Sequence, residues 1–230
     1  MKRFYKTVEV NSQPHGFQIL LDGKPVKTPG RATLLLPTRA LADGVAGEWR
    51  AQVGDIVPVS MPLLRLANTV LDGIAATHDE VVTAILRFGE HDLLFYRAEE
   101  PGLAARQAAA WDGLLDWAAS RYGVTFTVGT GVGHLDQPPQ SLARLRQAVA
   151  DHDDFALAAL HVLASITGSL VLALAVSDGK LDAAKAFELS RQDEDHQAER
   201  WGRDAEATAR ANALAAEMAS ASVFLAASRD

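Results

Sequence analysis

The spacing of apolar residues changes along the chain from a period of two to a period of 3.6, and the change falls between about residues 38 and 62. Before it, Phe4–Val10 is rich in aromatic and β-branched residues and reads as a strand. Pro14-His15-Gly16 marks a turn, Phe17–Leu21 a second strand, and Asp22-Gly23 a hairpin. Lys24–Pro29 is extended, because each proline removes a ladder donor and restricts its predecessor, and Ala32–Leu36 reads as a further strand. Thr38 is placed to cap a helix over Arg39–Gln52, after which residues 54–61 return to extended chain.

From Pro62 onward the pattern is helical. Helices are expected over Leu63–Leu71, after Thr77 with Glu80 in the capping-box position, and over Leu103–Tyr122, where Gly123 stops the run. Val124–Val128 reads as a short strand, and Ser141 as the cap of a helix ending near His152. One apolar helix is expected from Asp154 to Val176, then two more over about Leu181–Trp201 and Asp204–Leu225. The expectation is therefore an α+β protein: a small N-terminal β-rich domain over residues 1–61, followed by a larger C-terminal α-helical domain over residues 62–230.

Within this helical part, the stretch leading to Trp201 has an unusual face. At about 100° per residue, Ala183, Phe187, Ser190, Glu194, Ala198 and Trp201 fall in one stripe. Glu188, Gln192, Asp193, His196, Glu199 and Arg200 lie opposite. Glu194 is then a carboxylate at the centre of a mostly apolar face, and an acid in that position needs a partner or a task. The candidate internal partners are Arg65, Arg87 and Arg97; the other option is a partner outside the chain.

Composition narrows the field. The 230 residues are 48% apolar, enough for a sizeable core. A net charge of −7 disfavours nucleic acid and a polybasic membrane anchor. With no cysteine there is neither a disulfide framework nor a thiol nucleophile. Phe155–Val176 lacks Asp, Glu, Lys and Arg and is long enough to span a bilayer. It nevertheless holds His161, Ser165, Thr167, Gly168 and Ser169 and has no basic flank, so a buried bundle helix is expected and no membrane insertion. The first residues are basic but lack the apolar run of a signal peptide, which suits a bacterial cytoplasmic protein.

Motifs for chemistry fail on spacing. Gly129-Thr130-Gly131-Val132-Gly133 is not a dinucleotide fingerprint, and the Pro138-Pro139 that follows cannot open a helix over a phosphate. Asp193-x-x-His196 is half of a carboxylate-bridged metal motif with no second copy. Glu90-His91-Asp92 reads as a helix-end cluster. Neither a catalytic residue, a cofactor nor a metal is expected, which moves weight from enzyme to binding protein. Of the tryptophans, Trp111 and Trp117 lie on different faces of one helix; core is the simplest role for each of the four, Trp49 and Trp201 included.

The chain also resembles a known family. The blocks are Leu21-Asp22-Gly23-Lys24-Pro25-Val26-Lys27-Thr28-Pro29, Val45-Ala46-Gly47-Glu48-Trp49, and Met61-Pro62-Leu63 with Asn68-Thr69 and Leu71-Asp72. They continue through Asp92–Pro101, Trp111-Asp112, Trp117-Ala118 and Arg121–Val124 to Leu189-Ser190-Arg191, Glu194, Gln197 and Trp201-Gly202. Their order over roughly 200 residues is similar to that of the chaperones that assemble the catalytic F-one sector of ATP synthase. The resemblance implies an N-terminal β domain joined to a helical domain and a protein that is not an enzyme. It also implies a chaperone that binds the unassembled alpha subunit and shields its subunit interface from aggregation; the change of period leads us to expect a two-domain monomer. Glu194 resembles the family's functionally critical acid. With the stripe, this makes Glu194, Trp201, Phe187, Arg191 and Gln197 the expected partner-binding residues. Two other readings stay open from the residues alone: a small-molecule enzyme with a site in an interdomain cleft, and a general interaction scaffold.

Overall fold

A computed structural model of the protein describes residues 1–202 and 204–229. Its elements in chain order begin with strands β1 (Val8–Gln13), β2 (Gly16–Leu21), β3 (Lys24–Pro25) and β4 (Leu35–Leu36), then helices α1 (Arg39–Arg50), α2 (Pro62–Asp72) and α3 (His78–Glu90). Next come β5 (Tyr96–Arg97), α4 (Pro101–Tyr122), β6 (Gly129–Thr130) and α5 (Pro139–Ala150). The chain continues through α6 (Asp154–Thr167), α7 (Leu170–Ser177), α8 (Ala183–Ser190), α9 (Gln192–Trp201) and α10 (Ala205–Arg229). A small N-terminal sheet followed by a mostly helical remainder makes this an α+β protein. Its contacts divide into two compact units. The first is Met1–His78 with Asp154–Ala159 and the chain from Val223; the second is Asp79–Asp153 with Leu160–Ser222.

In the first unit, β1, β2 and β3 are antiparallel neighbours and β4 pairs with β2. The β2–β3 hairpin turns on Asp22 and Gly23, both at positive φ (48° and 76°), the backbone that a two-residue turn of this twist requires. The Asp22 carboxylate accepts from the Lys6 and Thr7 amides at 2.9 and 2.7 Å, which holds its pKa below the usual carboxylate range. Phe4 and Tyr5 were expected in the first strand but precede it. The Tyr5 hydroxyl donates to Trp49 O at 2.6 Å, and that buried bond outweighs strand propensity. Thr38 caps α1 as expected, accepting from Leu41 N. Glu48, on α1, accepts from Leu63 N and Leu64 N at 2.7 and 2.9 Å and so caps α2 from a neighbouring helix. Burial pushes its pKa up against those two bonds.

In the second unit, α7 is buried along its whole length, and Trp111, Phe95, Leu145, Leu160 and Met218 are core residues. The single apolar helix expected over Asp154–Val176 is instead two, α6 and α7. Gly168 adopts φ 63° between them, and Ser169 accepts from Leu172 N to begin α7. Among the described residues no helix is long and apolar enough to cross a membrane. A Cβ at Gly168 would come no nearer than 3.9 Å to Leu93, so Gly168→Ala meets no clash. It is expected to cost only the left-handed conformation, about 1–2 kcal/mol, read as a lower midpoint in thermal denaturation. An unchanged midpoint would refute that reading of the break.

Two further expectations are corrected here. Ser141 lies inside α5, which begins at Pro139; its hydroxyl accepts from Thr125 N and donates to Thr125 O. The segment Val124–Val128, expected as a strand, is instead held by side chains, the Gln137 amide accepting from the Thr127 backbone N–H and donating to its C=O. The short strand that does form is β6, parallel to β5.

Candidate functional site

The helix expected over Leu181–Trp201 is interrupted at Arg191, whose backbone (φ −110°, ψ 23°) separates α8 from α9. α9 ends at Gly202, φ 89°, and α10 begins at Ala205. Phe187 from α8, Arg191 at the break, and Glu194, Gln197, Ala198 and Trp201 from α9 line one wall of a groove of about 580 Å³. Ala207, Thr208, Ala211 and Asn212 of α10 line the other. All five residues singled out from the sequence thus reach a single groove.

The sequence left open whether the stripe of α9 packs within the chain or faces a partner, and the structure does not pack it on α4. The side read as polar turns toward α4. Gln192 is buried and accepts from Arg106 Nε at 3.0 Å; Asp193 accepts from Gln107 Nε2 at 2.5 Å; Arg106 Nη1 donates to both Glu199 oxygens at 2.9 and 3.0 Å. His196 Nε2 lies 3.6 Å from Glu100. One turn earlier the buried Trp111 Nε1 donates to Leu189 O at 2.9 Å. The cause is on α4: near α9 it presents Arg106 and Gln107, and Gln107 is itself buried, so it needs polar partners. The apolar stripe is left to line the groove.

Glu194 is consequently an exposed acid. Its side chain is 53% accessible, and its ion-pair partner is Arg191 at 3.4 Å, replacing the internal pair with Arg65, Arg87 or Arg97 weighed from the sequence. Arg97 is committed to Asp112 at 2.6 Å and lies over the Trp111 ring. The Arg191 guanidinium also sits over the Phe187 ring, 5.6 Å from its centroid, so aromatic, cation and carboxylate form one short row. Trp201 ends that row 77% exposed, which corrects the expectation of a core tryptophan; Trp111, by contrast, is fully buried. An open groove with an exposed indole, a half-exposed carboxylate and a primary-amide side chain can hold a polypeptide surface.

Sequence reasoning missed Arg106 and Gln107, which fix the orientation of α9 and carry no local signal. It also passed over Asp92 as a helix-end residue. Asp92 is fully buried. It accepts from Leu94 N at 3.0 Å and Val171 N at 2.9 Å, joining the turn after α3 to the start of α7. Burial raises its pKa to about 6 despite those bonds and one from Ser169. Glu100 moves the other way: amide bonds from Leu103 and Gly102 lower it, as does His196 nearby.

An open groove of this kind suits a binding protein, and comparison with known proteins places the chain in a class of chaperones. Residues 2–119 match the family described as ATP12 chaperone protein. The crystal structure of Atp12 from Paracoccus denitrificans superposes with a TM-score of 0.96 at 43% identity, over 99% of this chain and 98% of that one. A protein of Agrobacterium tumefaciens superposes with a TM-score of 0.94 at 45% identity, over 98% of this chain and 85% of that one. The mitochondrial protein atp12 of Schizosaccharomyces pombe is 25% identical over 214 residues, 87% of this chain and 74% of that protein. The chain belongs to the ATP12 chaperone protein family, the ATP synthase assembly chaperones to which the motif blocks pointed.

Proposed function

We propose that this chain binds the unassembled alpha subunit of ATP synthase in the cytoplasm of a bacterium and shields the surface that alpha later buries against its neighbour. A subunit lacking its neighbour exposes an apolar interface, and that surface drives aggregation. The chain does this as a monomer and by binding alone, without catalysis or cofactor. The groove between α9 and α10 is the contact, with Glu194, Trp201, Phe187, Arg191 and Gln197 as its binding residues. The observation that carries the reading is the exposure of Trp201 beside Glu194 in a member of a chaperone family. An indole left largely in water contributes little to the chain's own stability and is the kind of side chain that dominates interfaces.

Glu194→Gln tests it. The exposed pair with Arg191 contributes about 0–1 kcal/mol to stability, so the variant should melt close to the parent. Buried against a client, the same carboxylate becomes part of a desolvated polar contact, and losing its charge is expected to weaken binding by about 2–5 kcal/mol. Light scattering of free alpha subunit should show that the variant no longer suppresses aggregation. Undiminished suppression would remove Glu194 from the site, and a bound metabolite in the purified protein would favour an enzyme instead.

A further inference from the structure

The groove between α9 and α10 has a charge pattern of its own. Four acids line it, Glu188, Glu194, Asp195 and Asp204, against one base, Arg191. Two of the acids are engaged within the chain. Glu188 pairs with Lys185 Nζ at 2.6 Å, and Asp204 accepts from Ala207 N at 2.8 Å where α10 begins. The other two are available to a partner. Glu194 has only the 3.4 Å contact with Arg191, and the Asp195 carboxylate makes no hydrogen bond or ion pair among the described residues. Along the same wall, Glu194 stands midway in sequence between two aromatic residues, Phe187 and Trp201. The Phe187 half is complete: Arg191 lies over that ring, 5.6 Å from its centroid, and also reaches Glu194. The Trp201 half has the ring, 77% exposed, but among the described residues no cation lies over it. An open indole face in a groove with spare carboxylates suits a guanidinium, which is planar, weakly hydrated, and able to stack on a ring while it donates to acids.

We propose that the groove selects by charge: its occupant is an apolar segment of the client protein that carries arginine, with the guanidinium seated against Trp201 and drawn there by the carboxylates of Glu194 and Asp195. This rests on the reading that the groove is the contact for the alpha subunit, and it names the chemistry of the surface taken there.

The test uses the full chain and free alpha subunit, with Trp201→Ala reporting whether the groove is the contact at all. Affinity of the parent should fall at least about tenfold as NaCl is raised from about 0.05 to 0.5 M. Asp195→Asn should weaken binding at least about fivefold and Asp195→Lys about a hundredfold; Glu194→Gln serves the same end if the Asp195 variants do not fold. Asp43→Asn, at an exposed acid of the first unit, should leave binding unchanged. Two fluorescein-labelled peptides read the selectivity directly: Gly-Leu-Arg-Val-Leu-Arg-Leu-Gly and its counterpart with glutamate at both arginine positions. The arginine peptide should bind the parent more tightly and compete with alpha, and Asp195→Lys should erase or reverse that preference. Suppose that alpha binds indifferently to salt and to Asp195→Lys, or that both peptides bind alike, while Trp201→Ala still weakens alpha. The groove is then the contact but does not select by charge, and this proposal alone fails. If Trp201→Ala binds alpha as the parent does, the reading beneath it fails too. Parent dimers that Trp201→Ala dissociates would give the groove to a second copy of the chain and overturn the proposal.

Discussion

Asp92→Ala is expected to lower the melting temperature by roughly 6–12 °C, the equivalent of about 3 kcal/mol in a chain of this length. The carboxylate is fully buried, and its two oxygens satisfy the amides of Leu94 and Val171. Removing it strands both donors in the core, and each stranded donor costs about 1–3 kcal/mol; the relief of burying one charge fewer offsets part of this. The residue also has a pH signature. Its pKa is raised from 3.8 to about 6 in the folded chain, so folding favours the protonated form. Asp92 therefore contributes most stability below about pH 4, and the contribution falls as pH rises through 6, by about 3 kcal/mol across that window. Asp92→Asn keeps the shape but cannot ionise and offers one acceptor where two are needed. Its melting temperature should lie below the parent's, and the parent-minus-variant difference should shrink between pH 4 and 6.5, because only the parent loses stability there. A difference that is flat with pH would show that Asp92 does not titrate in this range.

Trp201→Ala should have the opposite profile, with a large effect on binding and almost none on folding. The ring is 77% exposed, so truncation should stay within about 0.5 kcal/mol of parent stability in urea or heat. If the groove takes the alpha subunit, the indole supplies a large buried area at the centre of the contact, and its loss should cost at least about 2 kcal/mol, roughly thirtyfold in Kd. Titration of the alpha subunit by calorimetry or fluorescence anisotropy reads this directly. Parent-like affinity would take Trp201 out of the interface.

The parts of the fold legible in the sequence are those fixed by local backbone geometry. Asp22-Gly23 demands a tight hairpin, Thr38 caps the helix that follows it, and Gly123, φ 66°, ends α4. What was not legible depends on partners far away in the chain. Asp92 looked like the end of a helix because its partner Val171 lies 79 positions on. The packed face of α9 could not be read from α9, because Arg106 and Gln107, 86 positions earlier than Gln192 and Asp193, select it. Hydrophobic periodicity alone left open which face packs. The motif blocks turn out to be rich in acids that hold backbone: Asp22 at the first hairpin, Glu48 at the start of α2, and Glu100 at the start of α4. Asp72 accepts from the Thr28 hydroxyl and the Gly30 amide at 2.5 and 2.8 Å, tying α2 to the loop after β3. These acids hold the frame together. The residues lining the groove between α9 and α10 have few such duties and are visible chiefly as an exposed stripe.

The way α9 is fastened has a dynamic consequence. α7 lies wholly in the core, whereas the one buried residue of α9 is Gln192, and the helix is secured to α4 by hydrogen bonds and charges around Arg106 and Gln107. Such bonds exchange for water at little net loss, whereas buried aliphatic surface does not. Amide protons of α9 should therefore exchange with deuterium through local openings far below the global unfolding free energy, and sooner still at high salt, while those of α7 wait for the whole unit to open. The helix that carries Glu194 and Trp201 can then shift its seat without disturbing the core beneath it.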